Sequence, residues 1–386
     1  METTDNWVER PQAGTFTYKR CAHFYQRWDD VAKPAATEGS AMAPKPVVVL
    51  LHGFMQSSTS WDVVARSLQN RFCVYALDFI GHGLSEKATK PARYTYEDMA
   101  ASVDYFIRKV IGRSIAEQKA AGRKAGGCNA PASRANYRWS VGQEVADAFR
   151  VHVVGYSMGG RIALQLLRIS SDVLASLTLE SCNLGCATEE ERAQATQRNQ
   201  SWVERIRRDG MESFVNYWET LPLFETQKEL GYDKLLHYSR AANNPECMTL
   251  CLEGAGKQAM PLSGDTLKII KRAVQGPVAH AGEQRERCDQ DSKKAQREGY
   301  KQQNSCSFQF HAKHNESVRC EERPQGGLPI HYIYGSKDEK SKAIASLLSD
   351  IGVSISEIDA GHNVHLEEPT LYCKEVQNFL LKADNR

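Results

Sequence analysis

A serine hydroxyl becomes a nucleophile, or a relay for a base, only when an imidazole takes its proton, and the imidazole in turn needs a carboxylate to fix its tautomer. The sequence offers all three in suggestive settings. Ser157 lies in Gly155-Tyr156-Ser157-Met158-Gly159, a G-x-S-x-G spacing preceded by Val151-His152-Val153-Val154 and followed by Ile162-Ala163-Leu164. Alone that spacing is a modest signal. Between a strand and a helix it marks a sharp turn, eased by its glycines, that lifts the serine clear of a sheet. Asp338 follows the strand-like Ile330-His331-Tyr332-Ile333-Tyr334, and His362 follows the next strand in Ala360-Gly361-His362-Asn363. The expected relay is Ser157, Asp338 and His362, with Glu180 as the rival acid because it also ends a strand, and His365 as the rival base.

An oxyanion formed beside such a serine needs backbone N–H donors. The turn His52-Gly53-Phe54-Met55, after the apolar residues 47–51, makes the Phe54 amide one candidate, and the Met158 amide is the other. Arg161, four residues beyond Ser157, either faces the same pocket and takes a carboxylate in a fork or serves a structural ion pair; the residue alone leaves both open. The segment Asp78-Phe79-Ile80-Gly81-His82-Gly83 reads as a turn in which Asp78 and His82 are hydrogen-bonding rather than catalytic residues.

The elements that must hold these groups alternate. Apolar, β-branched runs at 47–51, 72–77, 151–154, 174–179, 329–335 and 353–358 are interleaved with helical periodicity at 60–68, 96–110, after 157, at 342–348 and at 371–381. Such alternation predicts the α/β class, with a mainly parallel central sheet and helices on both faces. A further strand is expected near 16–18, in an otherwise poorly patterned stretch 1–45. From 189 to about 260 the pattern turns helical and rich in Arg, Trp, Tyr and Phe, which predicts a helical cap over the strand ends that closes the pocket and selects the substrate. The expected organisation is a core of 1–185 and 328–386 and a cap of 186–275. Two stretches fit neither. Residues 112–150 exceed a compact connection of about 2–6 residues and read as a surface insertion. Residues 276–327 are polar and charge-mixed and read as a second, flexible insertion. Cys306, His311, His314 and Cys320 within it match no usual metal spacing, so no metal is expected.

A chain of 386 residues with a formal net charge of +2 and evenly spread Lys and Arg gives no reason to expect nucleic acid or an anionic membrane surface as partner. A small molecule fits better. The 11 cysteines are odd in number and lack disulfide or metal spacing, and the opening Met-Glu-Thr-Thr-Asp-Asn has no signal-peptide character, which together predict free thiols and a cytoplasmic location. No apolar run approaches a membrane span, so no membrane insertion is expected. Nothing in the sequence sets the oligomeric state.

The chain resembles the α/β-hydrolase superfamily, whose triads follow the order Ser, Asp, His, and within it the 2-succinyl-6-hydroxy-2,4-cyclohexadiene-1-carboxylate synthases of menaquinone biosynthesis. The narrower likeness rests on Leu51-His52-Gly53-Phe54-Met55, on Gly155 to Arg161 and on Ala360-Gly361-His362-Asn363-Val364-His365. Most of all it rests on Tyr217-Trp218-Glu219-Thr220-Leu221-Pro222-Leu223-Phe224 in the cap. The resemblance implies an α/β-hydrolase fold with a helical cap. It also implies elimination of pyruvate from 2-succinyl-5-enolpyruvyl-6-hydroxy-3-cyclohexene-1-carboxylate, without cofactor or metal. Ser157 would be a base relay, Phe54 and Met158 the oxyanion donors, and Arg161, with Tyr156, Trp218 and Arg192, the grip on a small anionic substrate carrying three carboxylates. The chain departs from the family at Ala195, where an arginine that helps bind carboxylate is usual; either Arg192 or Arg198 compensates, or the substrate differs. Ile80 replaces a proline common in the family. A true hydrolase of an ester or carbon–carbon bond, and a non-catalytic binding protein on the same fold, are the alternatives the residues leave open.

Overall fold

The computed structural model of the protein describes residues 10–29, 45–117, 149–229, 231, 233–276 and 326–385. Eight strands form one sheet: β1 (Gln12–Tyr18), β2 (Cys21–Trp28), β3 (Val47–Leu51), β4 (Cys73–Leu77), β5 (Val151–Tyr156), β6 (Leu174–Glu180), β7 (Ile330–Gly335) and β8 (Ser354–Ile358). Their spatial order is β1-β2-β4-β3-β5-β6-β7-β8, parallel from β4 to β8, with β1 and β2 antiparallel at one edge. The period of two in a strand sends neighbours to opposite faces. Val47, Val49 and Leu51 therefore pack on one side with helices α2 (Tyr96–Tyr105) and α3 (Met158–Ile169). Val48 and Leu50 pack on the other with α1 (Asp62–Leu68) and a C-terminal helix, Pro369–Asp384. Because both faces are covered, β3 and β5 are buried along their whole length, which is why they read as unbroken apolar runs.

Three expectations are corrected. The single strand expected near 16–18 is a hairpin, whose second strand, residues 21–28, carries no clear alternation. Its turn is Lys19-Arg20 with φ of 47° and 67°; two-residue hairpin turns with positive φ normally announce themselves with Asn or Gly, and here they do not. The helix expected over 96–110 runs on through a wider turn, Phe106–Ile111, and remains helical to 117. The first residues assigned to the 112–150 insertion thus belong to a helix, and 118–148 lie outside the described residues. So do 277–325, with Cys306, His311, His314 and Cys320 among them. The helix expected over 342–348 begins earlier, at Glu339, and ends at Ser349.

Between β6 and β7 the chain builds the helical layer expected from its composition: α4 (Glu189–Trp218), α5 (Asp233–Ala241), α6 (Pro245–Gly254) and α7 (Ser263–Gln275). The long α4 breaks at Gly210, whose φ of 80° and ψ of 176° are not helical, so residues on either side point in different directions. Among the described residues no helix is long and apolar enough to cross a membrane, and no group of three or more His, Cys, Asp or Glu is placed to hold a metal ion.

Candidate active site

Four strand ends converge beneath the helical layer. At the end of β3, the buried His52 ring sits between two segments. Its Nε2 accepts the Phe79 N–H at 3.1 Å, and its Nδ1 lies 2.7 Å from the Gly53 carbonyl. Burial pushes its pKa down to about 4, so the ring is a neutral strut for the loop that carries Phe54. Asp78 and His82 take the structural parts expected of them. Asp78 accepts the Ser58 and Leu84 amides at 2.6 and 2.7 Å, and His82 is fully buried, with its Nδ1 3.1 Å from the Ile80 carbonyl.

At the end of β5, Ser157 has φ 48° and ψ −105°, a conformation rare for a residue with a side chain. The strain sits on the serine itself. Gly155 and Gly159, expected to ease the turn, are needed for a different reason, since neither has positive φ. A Cβ on Gly159 would lie 2.1 Å from the Leu51 carbonyl oxygen, and one on Gly155 would lie 2.6 Å from that of Gly159. Small residues let α3 start directly against the ends of β3 and β5. Met158 is the first residue of α3, so its amide has no partner one turn back and points out of a positive helix end.

The expected acid and base meet at this serine. His362 Nδ1 lies 2.6 Å from Asp338 Oδ2, and His362 Nε2 lies 3.3 Å from Ser157 Oγ. Asp338 also caps the helix that follows it, accepting the Ser341 amide at 3.2 Å and the Ser341 hydroxyl at 2.6 Å. Burial raises the Asp338 carboxyl, but the hydrogen bonds and charge of His362, with those from Ser341, outweigh it and hold the group below the usual carboxylate range. The rival acid and base bond instead to each other: His365 Nδ1 lies 2.8 Å from Glu180 Oε2, with both side chains fully buried.

Above the serine is a cavity of about 150 Å³. Phe54, Tyr156, Ser157, Met158 and His362 line its floor; Trp218, Leu223 and Phe224 from the helical layer line its roof. Trp218 packs edge-on to Phe54 at 5.6 Å, and Phe224 stands edge-on to His362 at 6.1 Å. Tyr156 closes the floor, tilted against His362 at 5.5 Å, with burial holding its hydroxyl well above the ordinary tyrosine range.

The cavity is strongly cationic. Arg161, Arg198, Arg240 and Lys257 all line it. Arg240 is held by Glu219 and Gln227, each at 2.7 Å, and Lys257 pairs with Glu191. Arg161 is different: it has no carboxylate partner among the described residues, its Nε is buried without a hydrogen bond, and its guanidinium stacks 5.7 Å from the Tyr96 ring. Arg198 stands exposed at the rim, 4.9 Å over the Trp202 ring, and likewise has no acidic partner among the described residues.

Of the residues expected to bind substrate, Arg161, Tyr156 and Trp218 line the cavity, and Arg192 does not. Its guanidinium donates to the carbonyls of Gln258 and Met260 at 2.7 and 2.9 Å and pairs with Glu189 at 2.9 Å, which ties α4 to the loop before α7. Ala195 is buried in the same helix. Arg240 and Lys257 were missed by sequence reasoning, because the turns and helices that bring them to Ser157 leave no local spacing to recognise.

Comparison with known proteins fits this arrangement. The sequence pattern of the alpha/beta hydrolase family matches residues 48–375. The chain belongs to that family. A 2-succinyl-6-hydroxy-2,4-cyclohexadiene-1-carboxylate synthase of Enterobacter sp. (strain 638) is 27% identical over 326 residues, covering 84% of this chain and 87% of that protein. A protein of Bacillus subtilis (strain 168) that carries the same name provisionally is 27% identical over 361 residues, covering 91% and 96%. Among alpha/beta hydrolase structures, MenH from S. aureus superposes with a TM-score of 0.61 at 18% identity, covering 93% of this chain and 98% of that one, a likeness of fold. The resemblance to the synthases thus extends along nearly the whole chain.

Proposed function

We propose that this protein is a lyase that eliminates pyruvate from 2-succinyl-5-enolpyruvyl-6-hydroxy-3-cyclohexene-1-carboxylate, forming 2-succinyl-6-hydroxy-2,4-cyclohexadiene-1-carboxylate for menaquinone biosynthesis. One observation carries the reading: a serine–histidine–aspartate relay opens into the same cavity as Arg161, a half-buried cation with no acid of its own among the described residues. A guanidinium facing a cavity in that state calls for an anion, and carboxylate is its natural partner. The names of the similar proteins give the product, a succinyl cyclohexadiene carboxylate whose acid groups suit such a cation.

In this reading His362 takes the Ser157 proton, and Ser157 oxygen removes the proton α to the succinyl carbonyl. The C–H electrons move to the carbonyl oxygen, where the Phe54 and Met158 amides receive the charge; such a donor is worth about 2.7–4 kcal/mol. Collapse of the enolate through the ring double bond breaks the ring carbon–oxygen bond and expels the enolate of pyruvate, which takes up the proton His362 holds and becomes pyruvate. Asp338 stabilises the imidazolium in between. Arg161 holds one carboxylate inside the cavity, and Arg198, three residues after Ala195, supplies the second cation at the rim; Tyr156 and Trp218 pack the ring. No cofactor takes part.

The test is pyruvate release from that substrate, coupled to lactate dehydrogenase, with native protein, Ser157→Ala and Arg161→Ala. Release that Ser157→Ala suppresses by orders of magnitude and Arg161→Ala by about 10–100-fold supports the lyase. Native protein that releases no pyruvate yet cleaves simple esters through Ser157 is a hydrolase, and the proposal fails.

A further inference from the structure

The displaced rivals, Glu180 and His365, form a fully buried pair that the chemistry above does not use. Such a pair is costly unless it is closely bonded, and this one is: the two Glu180 oxygens lie 2.9 and 2.8 Å from His365 Nδ1, and Oε1 also accepts the His365 amide at 3.0 Å. Trp61 stacks on the imidazole at 4.1 Å with ring planes 18° apart, and Tyr156 closes its other side edge-on at 4.9 Å.

What makes the pair more than a core contact is what each end is attached to. The Glu180 main-chain oxygen accepts the Ser157 N–H at 2.9 Å, so the residue that holds His365 by its side chain also holds the elbow by its backbone. His365 lies three residues beyond His362, in the short helix Val364–Glu367 that ends the histidine loop. The rest of that loop is fastened internally: Glu367 accepts the amides of Gly361 and Asn363. Glu367 stiffens the loop but does not reach the elbow. Glu180 does.

The geometry points to Glu180 and His365 as positioning residues that set the separation and alignment of Ser157 and His362. The inference takes the relay of the proposed function as its starting point but does not depend on the lyase reaction. Two main-chain segments that carry the reacting groups, the end of β5 and the loop after β8, are joined through Glu180 and His365, whose imidazole is packed by Trp61 and Tyr156. Small shifts between reacting groups cost rate steeply, about a hundredfold for 1 Å, so a fixed pair at this point acts on the proton transfer rather than on substrate binding.

The test reads the relay directly, through the rate at which a fluorophosphonate modifies Ser157. Its saturating rate constant and half-saturation concentration are measured per folded molecule. His365→Leu breaks the side-chain tie, leaving only the residue 365 amide on a buried carboxylate, and that variant need not fold. His365→Leu combined with Glu180→Gln removes the charge as well and keeps an oxygen for the residue 365 amide. Glu180→Gln alone is the conservative variant, because a neutral imidazole can accept from the new amide. The expected result is a saturating rate lowered roughly tenfold or more in the double variant, with half-saturation unchanged, and restored to near native in Glu180→Gln. A double variant that labels at the native rate, whatever its melting temperature, overturns the inference, as does a loss that falls only on half-saturation. Failure of the lyase reading would show separately, as native protein that labels at Ser157 but releases no pyruvate.

Discussion

His362 Nδ1 and Asp338 Oδ2 are 2.6 Å apart, while the opposite ring nitrogen is 3.3 Å from the Ser157 hydroxyl. The imidazole is thus fixed tightly from behind and held more loosely in front. A base positioned in this way keeps its tautomer and orientation without substrate, and its contact to the serine can tighten when substrate closes the site. Asp338→Asn leaves an atom of the same size in place but lets the ring adopt the other tautomer. The expected outcome is kcat lower by roughly 10³–10⁴-fold with little change in KM, measured by pyruvate release.

Two arginines on different sides of the site separate binding from support. Arg161→Ala removes a cavity cation that has no acidic partner among the described residues and is expected to lower kcat/KM by about 10–100-fold, the value of a hydrogen bond to a charged group, without lowering the melting temperature. Arg192→Ala is expected to do the reverse: native kcat/KM, with stability reduced by about 1–2 kcal/mol as the Gln258 and Met260 carbonyls lose their donor. Steady-state kinetics and thermal denaturation on the two variants check both. Equal kinetic losses would place Arg192 in the substrate site after all.

Gly159→Ala tests the close approach at the elbow. The added methyl would lie 2.1 Å from the Leu51 carbonyl oxygen, which is backbone and cannot swing away. A loss of about 1–3 kcal/mol or more in denaturant unfolding is expected, together with slower labelling of Ser157, because α3 must shift to admit the methyl.

His237 provides a pH prediction in the helical layer. Its ring bridges Glu219 at 2.8 Å and Glu212 at 3.0 Å, and hydrogen bonds to Glu212 and then Glu219 raise its pKa above 6.5. A raised folded-state value means that the contribution to stability is full below about pH 6.5 and is lost as pH rises through the folded value. His237→Gln should therefore lower the melting temperature at pH 5.5 by a few degrees at most, since the pair is partly exposed and worth no more than about 1 kcal/mol, and should leave it unchanged at pH 9.

Much of the fold was legible because burial on both faces writes an unmistakable pattern. Strands such as Val47–Leu51 and the elbow after Val151–Tyr156 read directly as apolar runs ending in turn residues. The order of Ser157, Asp338 and His362, each after a strand, read equally well. The edge hairpin did not, because Lys19-Arg20 makes its turn without the usual residues and because β2 alternates only weakly between buried and exposed positions. In the site, Arg161 was visible through its fixed offset from Ser157 along one helix. Arg240 and Lys257 were not, since only the folding of separate cap segments brings them to the cavity, and Arg192 misled because its three-residue distance from Ala195 along α4 says nothing of which way the side chain turns.

The positive φ of Ser157 gives the protein an internal trade-off. A side chain held at 48° and −105° costs on the order of 1–3 kcal/mol, which a glycine would largely escape. Ser157→Gly is thus expected to be the rare inactivating substitution that resists heat as well as, or better than, the native protein, whereas Ser157→Ala keeps the strain and gains nothing. Robustness and activity pull in opposite directions at this single residue, so selection for thermal tolerance alone would erode the site from its centre outward.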